Sequence, residues 1–206
     1  MSRSWQPAHP GTLPELLAEH IAREPGLRRV AVDGPSTAAP EQFATTLIAP
    51  LKTRGRPVAH VLASTFWRDA ALRLEYGHRD PDSYLGWLDA DALRREVLLP
   101  LGSDGTYLPS LRDPVTNRAT HATRQTAAPG TVLLVSGSLL LGLGLPFDLT
   151  IHLALSPAAR ARHTAEDEAW TLPALDRYDE DAAPHRYADV VVRLDDPRHP
   201  AISLAP

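Results

Sequence analysis

The chain has 206 residues, 43% hydrophobic and 22% charged, with a formal net charge of −4 and no cysteine, enough for one α/β domain with a full core. The mild acidity gives no electrostatic footprint for nucleic acid or an anionic membrane surface, and the absence of thiols excludes disulfides, thiolate metal sites and cysteine nucleophiles. No apolar run reaches the ~18–20 residues of a membrane span, since the stretch from Thr131 to Leu145 is interrupted by Ser136, Gly137, Ser138, Gly142 and Gly144.

Residues 1–11 read as an N-terminal arm without the apolar core of a signal peptide; a cytoplasmic protein is expected, and the 20 prolines with frequent Ala and Arg fit a high-GC bacterial source. Residues 12–206 read as a single domain. Thr12 to Glu15 has the spacing of a capping box, and Leu13, Leu16, Leu17 and Ile21 recur on one helical face. Pro25-Gly26 ends that helix, and Arg29 to Asp33 is an apolar strand. A helix over 40–54 places Phe43, Leu47 and Leu51 inward, kinked at Pro50 and stopped by Gly55. A second strand at 57–63 precedes a helix near 68–76 and a polar loop, 78–84. A helix over 91–99 leads to a Gly-, Pro- and Thr-rich stretch, 102–130, with at most short hairpin strands. Buried-type strands follow at 131–135 and 149–155. Ser156-Pro157 starts a helix to about residue 168, a short helix covers 173–181, and a last strand covers 188–194. Strands alternating with helices predict a parallel sheet covered on both faces.

The first strand and the helix after it frame the strand–loop–helix setting of a phosphate-binding loop, G-x-x-x-x-G-K-[ST]. Gly34 fills the first position. Ala39 stands at the second Gly, Pro40 at the Lys and Glu41 at the Ser/Thr. Pro brings neither charge nor N–H. Glu sets a carboxylate at the helix N-terminus where a phosphate would sit; at ~5 Å and an effective dielectric of ~20 such a pair repels by roughly 3 kcal/mol. The nine histidines show no H-x-x-x-H or H-E-x-x-H spacing, so no metal site is expected. Ser136-Gly137-Ser138 lacks the G-x-S-x-G elbow of a nucleophilic serine.

Several segments together resemble bacterial uridine kinase-like proteins of the P-loop nucleoside/nucleotide kinase superfamily. These are Arg29 to Gly34, the Gly55-Arg56-Pro57-Val58 lead into strand two, Phe66 with Arg68, Asp91 to Gly102, and Tyr107 to Asp113. Val132 to Gly137, Asp148 to Ile151, Pro173-Ala174 with Tyr178, and Ala188 to Val192 before Asp196-Pro197 complete the match, over roughly residues 12–200. The resemblance implies a three-layer α/β P-loop NTPase fold with a mainly parallel five-stranded sheet and a lid-like segment at about 163–172. It also implies a Lys at 40, an acidic pair where Ser64-Thr65 stands, an acid at 136 where Ser136 stands, and lid arginines. Arg160 and Arg162 precede the lid, which itself carries Glu166, Asp167 and Glu168. Phosphoryl transfer depends on these groups for positioning and charge stabilisation. The expectation is therefore a pseudokinase, with no ATP or Mg²⁺ cofactor, acting as a nucleoside-like small-molecule binder or as a regulator of a protein partner or a second copy. One alternative is ATP-independent chemistry in the inherited crevice, with Ser64, Ser136 and Asp82 as catalytic candidates. A third is a nucleoside kinase with an atypical phosphate site. The resemblance places the nucleoside near Trp67, Arg68, Arg79, Asp80, Asp82, Tyr84, Arg112 and Asp113, with Arg160, Arg162 and Tyr178 as further ligand candidates. Trp5, Trp87 and Trp170 read as scattered.

Overall fold

Strands whose residues are buried on both sides need a covering layer on each face. A computed structural model describes residues 3–205, so Met1, Ser2 and Pro206 lie outside the described residues. In chain order it holds β1 (Gln6–Pro7), α1 (Leu13–Ala22), β2 (Arg28–Asp33), α2 (Pro40–Thr53), β3 (Val58–Leu62), α3 (Ala70–Arg73) and α4 (Pro81–Tyr84). Next come α5 (Ala90–Leu93), α6 (Leu99–Asp104), β4 (Thr106–Tyr107), β5 (Gln125–Thr126), β6 (Val132–Gly137) and β7 (Leu149–Ala154). The chain closes with α7 (Pro157–His163), α8 (Leu172–Asp181), α9 (Pro184–Tyr187), β8 (Val190–Arg193) and β9 (Ala201–Leu204).

Five parallel strands, ordered β8-β7-β2-β6-β3, form the body of the sheet; beyond β8 lies β9, antiparallel to it, and then β1, antiparallel to β9. Strand pleating splits each strand's side chains between two cores. Val30 and Val32 of β2 face α1 and α2, where Leu13, Leu17, Ile21, Leu47 and Leu51 pack. Ala31, with Leu133 and Val135 of β6, faces Phe66 and Leu93, Val97, Leu98 and Leu101 of the α5–α6 region. The result is the expected three-layer α/β arrangement. Among the described residues no helix is long and apolar enough to cross a membrane.

Several local expectations change. Thr12 does not cap α1 with its side chain; its hydroxyl donates to the His9 carbonyl at 3.3 Å. Leu16 is 37% exposed, so Ala18 replaces it on the inward face. The helix near 68–76 shrinks to one turn, with the Asp69 carboxylate capping the Ala71 N–H at 2.9 Å. The helix near 91–99 lengthens instead, running from α5 through a π turn at Arg94–Leu98 into α6. Pro100 cannot donate to the Glu96 carbonyl, which accepts instead from the Leu108 N–H at 3.0 Å and from Arg124 at 3.1 Å. The helix from 156 ends at His163, and the lid region carries a 3₁₀ turn, Glu166–Thr171. The arm contributes β1, and Arg3 donates to the carbonyls of His185, Arg186 and Ala188.

Candidate functional site

The C-terminal ends of β2, β3 and β6 meet below the crevice where open α/β sheets bind ligands. Asp33, the last residue of β2, is fully buried. Its carboxylate accepts from the Leu140 N–H at 2.9 Å and the Tyr178 hydroxyl at 3.0 Å, and pairs with His152 Nδ1 at 2.7 Å. The Tyr178 oxygen also accepts the Leu141 N–H at 2.9 Å. Burial, and then the Asp33 charge, push the Tyr178 phenol well above the usual tyrosine range. Ser136, also fully buried, lies 2.8 Å from His60 Nε2, whose pKa burial lowers.

The loop from Gly34 to Ala39 joins β2 to α2 through a 3₁₀ turn. A Cβ at Gly34 would stand 2.9 Å from the Leu153 Cβ and carbonyl oxygen, so only glycine fits there. Ala39 adopts φ 52, ψ 55, the left-handed conformation that glycine takes freely and that strains an L-residue. Pro40 occupies the first turn of α2, where its missing N–H is tolerated. Three of the loop's backbone donors are engaged within the protein. Pro35 and Pro40 have none. Those of Ala38 and Ala39 bond the Pro35 and Ser36 carbonyls at 2.8 and 2.9 Å, and that of Gly34 reaches Gly137 at 3.2 Å. The Ser138 hydroxyl closes the loop further by donating to the Gly34 carbonyl at 2.7 Å.

Above these strand ends lies a cavity of about 570 Å³. One wall is Pro40, Glu41 and Gln42 at the α2 N-terminus; Ala63, Ser64 and Trp67 follow β3, and Gly137 to Leu139 follow β6. Tyr84, Leu85, Trp87 and Leu88 form the facing wall, with Glu168, Trp170 and Thr171 from the lid region and Pro114 and Val115 from the long loop. Ser64 donates to Glu41 Oε1 at 3.3 Å across this space. Four rings interlock: Trp67–Trp87 at 5.2 Å, Tyr84–Trp87 at 5.0 Å, Tyr84–Trp170 at 5.5 Å and Trp87–Trp170 at 5.7 Å between centroids. The Arg73 guanidinium lies 5.1 Å from the Trp67 ring centre and 4.7 Å from that of Trp87. Burial raises the Tyr84 pKa, and Glu168 adds to it. Among the described residues, no group of three or more His, Asp and Glu is placed to hold a metal ion.

Of the residues singled out from sequence, Pro40, Glu41, Ser64, Trp67 and Tyr84 converge on the cavity. Gly34 and Ala39 shape the loop beneath it. Ser136 and Tyr178 are enclosed below the crevice floor. Asp82 pairs at the surface with Arg177, and Asp80 caps α4 through the Ser83 N–H. Arg68 and Arg79 are exposed. Arg112 pairs with Asp69 at 3.0 Å, and Asp113 turns its carboxylate onto the Val115 and Thr116 N–H groups. Arg160, only 3% exposed, is taken up by Asp176 and Asp179 of α8, and Arg162 is exposed. Trp87, Trp170 and Glu168 are cavity residues that the sequence reading did not assemble. The Tyr84-x-x-Trp87 spacing was the available signal for the first of them.

This three-layer arrangement is the fold of the P-loop kinases. The chain superimposes on a protein described as a possible uridine kinase from Bacillus stearothermophilus with a TM-score of 0.71 and 19% identity, covering 86% of this chain and 96% of that one. It also matches a putative fructose transport system kinase from a Silicibacter species with a TM-score of 0.57 and 18% identity, covering 85% and 94% of the two chains. At such identity the likeness is one of fold. No protein-family model and no curated protein matches the sequence.

Proposed function

We propose that this protein is a P-loop kinase fold turned to small-molecule binding without phosphoryl transfer from ATP. The observation that carries this reading is the junction of loop and α2. The backbone keeps a left-handed residue directly before the helix, yet the residues there are Ala39, Pro40 and Glu41. A phosphate at this junction would meet a carboxylate in place of a lysine, with the N–H groups of Gly34, Ala38 and Ala39 already engaged. Ser64 and Ser136 stand where the resemblance places carboxylates, and neither can accept a proton from a hydroxyl nucleophile as a carboxylate would. The cavity nevertheless is formed and has the size of ordinary ligand sites. ATP-independent chemistry gains less support. Ser136 is fully enclosed against His60, Ser64 donates to Glu41, and Asp82 is held at the surface by Arg177.

The test is calorimetric titration with Mg²⁺–ATP, alongside a turnover assay with nucleosides and sugars as acceptors. No binding heat at millimolar nucleotide and no product are expected. A dissociation constant below ~100 μM, about −5.5 kcal/mol, or any ATP-dependent product, would overturn the proposal.

A further inference from the structure

We propose that the crevice is a receptor for an organic cation, an alkylated ammonium group carried on an apolar body; this rests on the reading of the crevice as a site that does not take ATP. The sign of the cavity comes first. Glu41 and Glu168 are its charged lining residues, and no Lys, Arg or His lines it among the described residues. A phosphate or carboxylate ligand would enter against two negative charges with no cationic side chain in the lining. A cation would find both, one at each side of the space.

The ring geometry points the same way. The aromatic planes meet at 72°, 79° and 73°, with the Trp87–Trp170 pair at 46°. A flat nucleobase stacks best in a slot between parallel rings. The steeply inclined rings leave no parallel slot for a base, and Trp67, Tyr84, Trp87 and Trp170 all line the one cavity. An open ring face carries the negative lobe of the ring quadrupole and attracts a cation.

The protein already uses this cluster to hold a positive charge. Arg73 is 92% buried by its 8% exposure, and its guanidinium lies over Trp67 and Trp87. With those two rings engaged by Arg73, the proposal seats the ligand's cation against Tyr84 and Trp170. Glu168, two residues before Trp170, lines the same cavity as both rings and supplies the negative charge of the seat. The apolar body then runs along Leu85, Leu88 and Leu139 toward Glu41.

The experiment is titration of the whole chain with choline and benzyltrimethylammonium, set against 3,3-dimethylbutan-1-ol, the neutral isostere of choline, and against uridine and Mg²⁺–ATP. Tryptophan fluorescence and calorimetry report binding. The cations are expected to bind at least about tenfold more tightly than the neutral isostere. Trp170→Ala and Glu168→Gln are each expected to weaken them about tenfold, with circular dichroism confirming the fold. Glu168 is exposed, so its variant keeps the test sound even if the tryptophan variant misfolds. Equal affinity for the isostere, preference for uridine, no binding of either cation, or unchanged affinity in a folded Glu168→Gln would each overturn the charge assignment and leave the ATP-free reading standing. Binding of Mg²⁺–ATP would overturn both.

Discussion

Restoring the loop after β2 tests the central reading directly. The variant combines Ala39→Gly, Pro40→Lys and Glu41→Thr. Ala39 sits at φ 52, ψ 55, where an L-residue costs ~1–2 kcal/mol and glycine is at ease, so that substitution suits the backbone already present. Lysine at 40 restores an N–H and a cation at the first turn of α2. Threonine at 41 removes the carboxylate that now accepts from Ser64. At ~5 Å and an effective dielectric of ~20, removing the repulsion and adding the attraction are each worth roughly 3 kcal/mol per unit charge. Solvent and salt at the open mouth reduce their sum, and a net gain of about 2 kcal/mol is expected. That is roughly thirtyfold in affinity, enough to bring the absent Mg²⁺–ATP signal that the proposal expects into calorimetric range. Turnover should stay absent, because Ser64 and Ser136 remain, and a missing general base alone costs about 10²–10⁴ in rate. The reasoning fails if the variant unfolds at the wild-type urea midpoint yet binds nucleotide no better.

Tyr178→Phe removes the hydroxyl that donates to buried Asp33 and accepts from Leu141. The loss should be about 2–3 kcal/mol, lowering Tm by roughly 4–12 °C, and a loss under ~0.5 kcal/mol in urea unfolding would show that the hub is dispensable. Burial lowers the pKa of His60, and burial aided by Arg23 and Arg28 lowers that of His20. The unfolded chain therefore binds protons that the fold refuses as pH drops below ~6.5. Stability should be fully present above that value and decline toward pH ~5, and His60→Gln should flatten the slope. A urea midpoint that rises on acidification over this range would contradict the assignment.

The parallel strands were legible because each carries a continuous buried run, such as Val30 to Val32 or Val132 to Val135, and doubly covered strands require one. The edge strands were not. Gln6–Pro7 is two exposed residues, and Ala201–Leu204 is four residues after a proline; neither is long enough to show a period. The helix over 91–99 runs on to Asp104 although Pro100 has no N–H for the Glu96 carbonyl, because tertiary partners take that carbonyl. The site divides in the same way. Trp67 and Tyr84 were found because they lie in segments that the resemblance carries to the crevice. Trp170 and Glu168 reach it through the packing of the lid region on α4, and no local pattern reports that. Asp33 was passed over as part of a strand end. Its partners His152 and Tyr178 lie 119 and 145 positions along the chain, where only the assembled sheet could reveal them.

On the proposed reading, the internal wiring of the strand ends is what lets the molecule do without phosphate chemistry. A working phosphate site keeps polar groups free at this level to meet a nucleotide and its metal. Here those groups are turned on one another. Asp33 holds His152, Tyr178 and the Leu140 N–H, and Ser136 pairs with His60. Ser138 closes onto Gly34, and Ser64 reaches Glu41. Buried polar groups matched in this way avoid the desolvation cost that an empty phosphate site would carry. Much of what lines the cavity is aromatic and apolar surface flanked by Glu41 and Glu168. On the proposed reading, recognition rests on the rings of the facing wall rather than on the loop before α2. A ligand selected by those rings would need no lysine at 40 and no glycine at 39.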